Sequence, residues 1–383
     1  MIDFRQVRLR SNPRFGLVPF DRLPAVERET FHGLSEDPDC FGILVPPEAS
    51  SLPVKSVSRD AALLFLSLRE PACLPHLLQN LLGADANERM RQLVLDGVFE
   101  VEQSGQFVSG AGALAVLGDR SDGGLSTRLR SLSDEAIAYA AALEQVPSYD
   151  LAARLYCFNT APGRPDLHHR FCDDDRLLSF LLNDQAISRS LRSRWHRERV
   201  GDSWLRWHSG SSGGPARYKL YVSPALQHLP AIFEASIDAF AESQCSGFKV
   251  GRGAFGLLRP DKLVAYFSDL DSLQRASESI RGSAGHAVAQ GVPFTAPIGS
   301  DGMLSWGMDP PRFEQVMQSQ QIQSWRQWLS GRIAVYVLAA REAGADVHSF
   351  VRNRVELDGV DPQTWTPNLA IWRGPVGTEQ EAS

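Results

Sequence analysis

Lysine is scarce in this chain. Of 39 basic residues only Lys55, Lys219, Lys249 and Lys262 are lysines, so arginine supplies nearly all of the positive charge. The two side chains are not interchangeable: a lysine amine readily gives up its proton and acts as a base, whereas a guanidinium stays charged. Three of the four lysines fall between residues 219 and 262. That grouping is either chance on a solvated face or the mark of a site.

Other shortages exclude whole classes. The five cysteines (Cys40, Cys73, Cys157, Cys172, Cys245) are odd in number and far apart, with no Cys-x-x-Cys pair. A disulfide framework and a cysteine-based zinc site are therefore disfavoured, and reduced thiols are expected. No apolar run approaches the roughly 18–20 residues that span a bilayer. The start, Met1-Ile2-Asp3-Phe4-Arg5, lacks the apolar core of a signal peptide. The expectation is a cytoplasmic protein with no membrane partner. Acidic residues outnumber basic ones, for a net charge of -6, so there is no surplus of cations to displace counterions from duplex nucleic acid. Neither a Gly-x-x-x-x-Gly-Lys-Ser/Thr phosphate loop nor a His-Glu-x-x-His metal motif occurs.

What is present divides into segments, and 383 residues predict two or three domains. Residues 1–58 form an irregular segment in which the run Phe41 to Val45 is stopped by Pro46 and Pro47. In 59–112 the pattern predicts helices over Arg59–Leu66, Leu74–Leu82 and Glu88–Asp96, the last closed by Gly97. Val98–Glu102 and Phe107–Ser109, either side of a turn at Gln103–Gln106, read as a hairpin. Three helices and a hairpin make a winged-helix-like module, suited to holding a peptide along its wing or to supporting a neighbour; without a basic third helix, DNA is the weakest partner. A Gly/Ser/Asp-rich linker spans 113–131, centred on 118–124. Residues 132–203 are predicted helical, including Ser133–Leu143 and 174–197, with a break near Asn183-Asp184 and Arg189 to Arg199 as an exposed helix face. Residues 204–311 alternate strands and helices. C-terminal helices, from about Gln320 to Ala343 and Val347 to Leu357, fill 312–373, and 374–383 read as a disordered tail. The fold class expected is α+β: a winged-helix-like N-terminal module, then a mixed α/β domain with C-terminal helices.

The chemistry-bearing residues lie in 204–311. In Phe248-Lys249-Val250, period-two alternation puts Lys249 on the face opposite its apolar neighbours. Arg252 follows between two glycines, where backbone can approach a ligand closely. Arg259 precedes Pro260 and is biased to extended backbone. Asp261 is placed to orient either arginine, and Lys262 adds another cation. Such a group forms a clamp for phosphate or carboxylate, unless these are ordinary solvated strand-end charges. The stretch from Gly291 to Pro311 reads as a turn beneath a pocket, with Asp309 a lesser candidate. His168-His169 with Cys172-Asp173-Asp174-Asp175 has metal-ligand types without a recognised spacing, so no metal site is assigned. His286 sits on a Gly/Ala-rich turn, either as a general acid or as an exposed loop histidine.

From Tyr218 to Pro311 the order of elements resembles the Hop-A-like type III effector family, members of which also occur in bacterial gene clusters for modified peptides. The residues that carry the resemblance are the Tyr-x-Leu-Tyr-type strand at 218–222, Phe-Lys-Val at 248–250, Arg-x-Asp-x-x-Val-x-Tyr at 259–266 and the Gly-containing Trp turn at 302–306. The resemblance implies β-elimination of phosphate from phosphoserine or phosphothreonine in a ribosomally made, lanthipeptide-like peptide. In those terms Lys249 removes the α-proton, Arg252 and Arg259 hold the leaving phosphate, and Lys219 or His286 assists its departure. Asp261 orients an arginine, and no metal or organic cofactor is needed. The module at 59–112 looks like the leader-peptide recognition elements of such pathways, and a kinase or other modifying enzyme is an expected partner. The alternative is a non-catalytic scaffold that binds a peptide or partner enzyme. An ADP-ribosyl-transferring relative is a third reading, for which no Arg…Ser-x-Ser…Glu-x-Glu pattern exists.

Overall fold

The computed structural model describes residues 2–31, 38–47, 54–117, 127–182, 185–201, 203–210, 216–310 and 324–372. The centre of the expected linker, the break at Asn183-Asp184, the helix start near Gln320 and the C-terminal tail lie outside the described residues. Helices and strands occur in separate, mixed stretches, consistent with an α+β class. No helix among the described residues is long and apolar enough to cross a membrane. The chain divides into two compact units.

The first unit takes in Met1–Asp122, Pro311–Ile322 and Val335–Asp358. Its strands are β1 (Arg8–Ser11), β2 (Gly16–Pro19), β3 (Cys40–Val45), β4 (Lys55–Ser58), β5 (Ala72–Cys73), β6 (Phe99–Gln103) and β7 (Gln106–Val108). They form one sheet in the order β5-β1-β6-β7 and another in the order β2-β3-β4. Helices Arg59–Ser67, His76–Leu82 and Ala86–Leu95 precede the β6–β7 hairpin, the order that the sequence pattern predicts. The hairpin does not stand as a free wing, because β1 pairs antiparallel with β6 through Leu9↔Val101 and Ser11↔Phe99. Helix Arg59–Ser67 starts at Ser58, whose hydroxyl accepts from the Ala61 N–H. Its Phe65 then meets Phe99 edge-on, which ties helix to sheet.

The second unit holds Gly123–Pro310, Gln323–Ala334 and Gly359–Ser383. Its sheet comprises β8 (Trp195–Val200), β9 (Trp204–Ser209), β10 (Tyr218–Val222), β11 (Gly247–Gly251), β12 (Leu263–Phe267), β13 (Ala296–Ile298) and β14 (Leu304–Met308). The order is β13-β14-β10-β12-β11-β9-β8, and every neighbouring pair is antiparallel. Pleating sends alternate residues to opposite faces. One face carries Leu205, Trp207, Leu220, Phe248, Val250 and Ala265, all buried. Helices Leu229–Glu242 and Leu270–Ser283 cover it. The first buries Leu229, Ile232, Phe233, Ser236, Ile237 and Phe240, the stripe expected of 3.6-residue periodicity. Phe248 is the hub of this layer, touched by the rings of Trp195, Trp207, Phe233 and Phe240. Burying a side chain of that size is worth about 2–3 kcal/mol.

The second half of the arginine-rich stretch departs from the sequence expectation. Gln185–Arg194 is helical, but Trp195–Val200 is strand β8, paired with β9 in register from Trp195↔Ser209 to Val200↔Trp204. Trp195 packs on Phe248, and this long-range burial outweighs the local pattern. Helices Ser148–Tyr156, Pro165–Arg170 and Gly253–Leu258 are also additions to the predicted elements.

Candidate active site

The other face of the sheet carries the polar chemistry. Its residues are Lys219 and Tyr221 on β10, Val264 and Tyr266 on β12, Lys249 on β11, and Trp204 and Arg206 on β9. Lys219 lies opposite Tyr266, and Lys249 lies between Val264 and Arg206. Gly307, opposite Lys219 on β14, has no room for a side chain: a Cβ there would sit 2.6 Å from the indole of Trp325, which packs over it.

Two arginines arrive by a different route. Helix Gly253–Leu258 begins at Arg252 and ends at Arg259. Its tight return depends on glycine, since a Cβ on Gly251 would lie 2.1 Å from the Gly256 carbonyl oxygen. Arg259 then points its guanidinium at the ring of Trp204, 4.7 Å from the centroid. Lys249 Nζ lies 4.1 Å from that same centroid and 5.9 Å from the Tyr266 centroid. Lys219 Nζ is 5.6 Å from the Tyr266 centroid. Arg259, Lys249 and Lys219 therefore form a row of three cations separated by two aromatic rings, each within cation–π reach.

The ends of the row are held by acids. Lys219 is ion-paired with Asp309 at 2.6 Å, and the same Asp309 oxygen accepts the Trp325 backbone N–H at 3.0 Å. Arg259 forks onto Asp261, Nε to Oδ1 at 2.9 Å and Nη2 to Oδ2 at 3.0 Å. Its Nη2 also donates to the Tyr156 hydroxyl at 2.7 Å. Asp261 is buried and ion-paired with the equally buried Arg326 at 2.8 Å. Arg326 donates in turn to the Tyr156 carbonyl oxygen at 2.6 Å. One carboxylate is thus shared by two guanidiniums, which leaves a net positive charge, and the fork geometry fixes the plane of Arg259.

Lys249 differs from every other group in the row. Among the described residues it has ring contacts only, with no hydrogen bond or ion pair. Burial lowers its pKa to about 8, reinforced by the charge of Lys219 and, more weakly, of Arg259. At neutral pH a useful fraction is therefore neutral amine. Burial raises the Tyr266 hydroxyl above its ordinary value, so that group stays protonated. Asp261 is held well below the usual carboxylate range: burial opposes this, but the Arg326 and Arg259 guanidiniums prevail.

Of the residues singled out from sequence, Lys219, Lys249, Arg259 and Asp261 come together here, with the lesser candidate Asp309 paired to Lys219. Arg252 is paired with Asp174 at 2.6 Å, at the far end of its short helix. Lys262 is fully buried, and its amine donates to the Pro224 carbonyl at 2.9 Å and to Gln290 Oε1 at 2.5 Å, bracing two loops. Burial lowers its pKa to about 7. His286 is exposed and shares no hydrogen bond, ion pair or ring contact with the row among the described residues. Around His168, His169 and Cys172, as elsewhere among the described residues, no three metal-ligating side chains converge. The sequence pattern did not single out Tyr156, Trp204 or Arg326, and Tyr266 stood only as the last residue of the Arg-x-Asp-x-x-Val-x-Tyr motif, with no role assigned. Tyr266 and Trp204 carried a usable signal, the same period-two alternation that marked Lys249. Tyr156 and Arg326 carried none.

No protein-family model and no curated protein sequence matches the chain. Solved structures with some similarity include an effector protein from Pseudomonas syringae pv. syringae strain 61 (12% identity, 63% of this chain and 98% of that one, TM-score 0.41). Another is an effector protein from Pseudomonas syringae pv. tomato strain DC3000 (12% identity, 62% and 96%, TM-score 0.39). A third is the type III effector and phosphothreonine lyase OspF from Shigella flexneri (12% identity, 50% and 98%, TM-score 0.28).

Proposed function

We propose that the second unit is a phosphate-eliminating lyase acting on phosphoserine or phosphothreonine in a ribosomally made peptide. What carries the reading is Lys249: a half-buried amine without a hydrogen-bond partner among the described residues, lowered to about 8 and flanked by two further cations. A structural lysine has its amine tied down, as Lys262 does. A base needs a free lone pair near working pH.

In the proposed reaction Lys249 Nζ takes the α-proton. The C–H electron pair becomes the Cα=Cβ double bond as the Cβ–O bond breaks, and phosphate leaves with that bonding pair. The cations on either side stabilise the charge that develops at Cα and on the leaving oxygen. Arg259 presents Nη1 to the phosphate while Asp261 holds its Nε and Nη2, and Arg252 is a second phosphate ligand once it exchanges Asp174 for substrate. Lys219, poised by Asp309, delivers a proton to the departing phosphate; His286 serves only if substrate binding brings it to the row. A kinase has to supply the phosphopeptide. The winged-helix-like module at 59–112 is proposed to hold a remote part of the same peptide. The test is mass spectrometry of a phosphopeptide incubated with the protein. Loss of one phosphoric acid that disappears in Lys249→Ala supports the reading. Retained peptide binding without any loss points to the scaffold alternative.

A further inference from the structure

The opposite face of the same sheet has an opening at its edge. A cavity of about 650 Å³ lies between β8, helix Asp174–Leu181 and helix Gln185–Arg194, a size typical of ligand pockets. Leu178, Leu191, Trp195 and Trp207 give it an apolar floor, with Arg192 and Arg197 among its polar lining. Trp195 is 4% exposed, yet its indole N–H has no hydrogen-bond partner. A buried donor without an acceptor is costly, and beside a cavity at a sheet edge the acceptor that suits it is a main-chain carbonyl of an added peptide.

Strand β8 is the last of the sheet, with β9 on one side and no strand on the other among the described residues. On β9, the Ser209 N–H bonds to the Ser246 carbonyl and the Ser203 carbonyl accepts from the Arg252 N–H, so these positions face β11. Alternation then assigns His196 and Glu198 of β8 to the bonds with β9, and leaves the backbone groups of Trp195 and Arg197 pointing outward. The residues that line the cavity are thus the ones with backbone groups at the open edge. Charge adds a third observation. Residues 189–199 contain five arginines and one glutamate in a chain whose net charge is -6. Arg192, Arg194 and Arg197 are exposed.

We propose that β8 and the adjoining cavity form a docking site for an extended acidic peptide segment, which adds as a strand to β8, seats an apolar side chain in the cavity and sets its carboxylates against Arg192 and Arg197. Strand addition of this kind draws affinity from main-chain hydrogen bonds and specificity from a pocket for alternate side chains. The site stands apart from the lyase reading, because Lys249 lies on the other face of the sheet. Asp175, also in the cavity lining, favours a basic segment, but Arg192 and Arg197 outnumber it, so the net preference remains acidic.

The test is fluorescence anisotropy with the full chain and three labelled peptides: alternating Glu-Leu, alternating Lys-Leu and alternating Glu-Ser. The Glu-Leu peptide is expected to bind at least about tenfold more tightly than either of the others. Arg197→Pro removes an outward N–H and a guanidinium while sparing the pairing with β9, and Ser179→Trp fills the cavity mouth; each should cost about tenfold in affinity. Arg192→Glu, on an exposed helix position, gives the charge arm if the proline variant fails to fold. Equal binding of the acidic and basic peptides overturns the proposal, as does undiminished binding by all three variants. Self-association of the wild type that Arg197→Pro abolishes also overturns it, in favour of a second copy at the edge. Lys249→Ala should bind the Glu-Leu peptide like the wild type, and Arg197→Pro should eliminate phosphate from a short phosphopeptide at the wild-type rate, so failure of one reading is distinguishable from failure of the other.

Discussion

Replacing Lys219 with methionine removes one of the two charges that crowd Lys249 and leaves the backbone of β10 intact. The two amines lie 5.6 and 5.9 Å from the Tyr266 centroid, so they are at most about 11.5 Å apart. At an effective dielectric constant of about 20, that separation gives a repulsion of about 1.4 kcal/mol, equivalent to one pH unit. The Asp309 charge, which already raises the Lys249 pKa, stays in place. The Lys249 pKa should therefore climb from about 8 to about 9 or above, and the rising limb of kcat/KM with pH should move with it. Lys219→Arg keeps the charge and should leave the limb in place. A second readout needs no activity: with only four lysines in the chain, pH-dependent acylation followed by peptide mass spectrometry reports Lys249 alone. Half-maximal labelling of wild-type Lys249 near its ordinary value of 10.5, or an unmoved value in Lys219→Met, would refute the electrostatic argument.

Three further outcomes are expected. Asp261→Ala leaves the Arg326 and Arg259 guanidiniums without their shared counterion and should destabilise the protein by about 3–5 kcal/mol in chemical denaturation at neutral pH. Because the folded-state pKa of Asp261 is depressed, its stabilisation is full above the ordinary carboxylate value of 3.8 and is lost as pH falls below it; the Ala variant should lack that acid-side loss. Lys262 titrates near 7 when folded against 10.5 when unfolded, so the unfolded chain binds the extra proton between those values and stability from this group should rise with pH across that window. Urea titrations at pH 7 and pH 9 check this, and Lys262→Met should flatten the rise. Gly251→Ala forces a Cβ to within 2.1 Å of the Gly256 carbonyl oxygen, which cannot move without opening the helix that carries Arg259. A lowered Tm together with a larger loss of kcat/KM than of stability would fit that role; a silent substitution would contradict it.

The alternation of apolar and polar residues by itself determined a good deal. The strands at 218–222, 247–251 and 263–267 are legible as short runs of strand-forming residues, and period-two alternation placed Lys249 on the face opposite Phe248 and Val250. Helices from Leu270 to Ile280 and from Val347 to Leu357 are legible in the sequence; the structure carries the first on to Ser283 and shows Asp269 and Asp346 as their caps. These are local properties, written within a few residues. Tertiary structure decided the rest. Strand β8 exists because Trp195 finds Phe248 some fifty residues later, a contact that no local pattern announces. Tyr156 and Arg326 reach Asp261 from opposite ends of the second unit's sequence, and only folding reveals that one buried carboxylate serves Arg259 and Arg326 together. The distinction among the lysines is also tertiary. The three clustered lysines share one residue type, but partial burial without a hydrogen-bond partner among the described residues lowers the Lys249 pKa to about 8, an ion pair with Asp309 holds Lys219, and two carbonyl oxygens make Lys262 a strut. Residue type sets what an amine can do; the depth of its burial and the partners that folding brings to it set which amine does it.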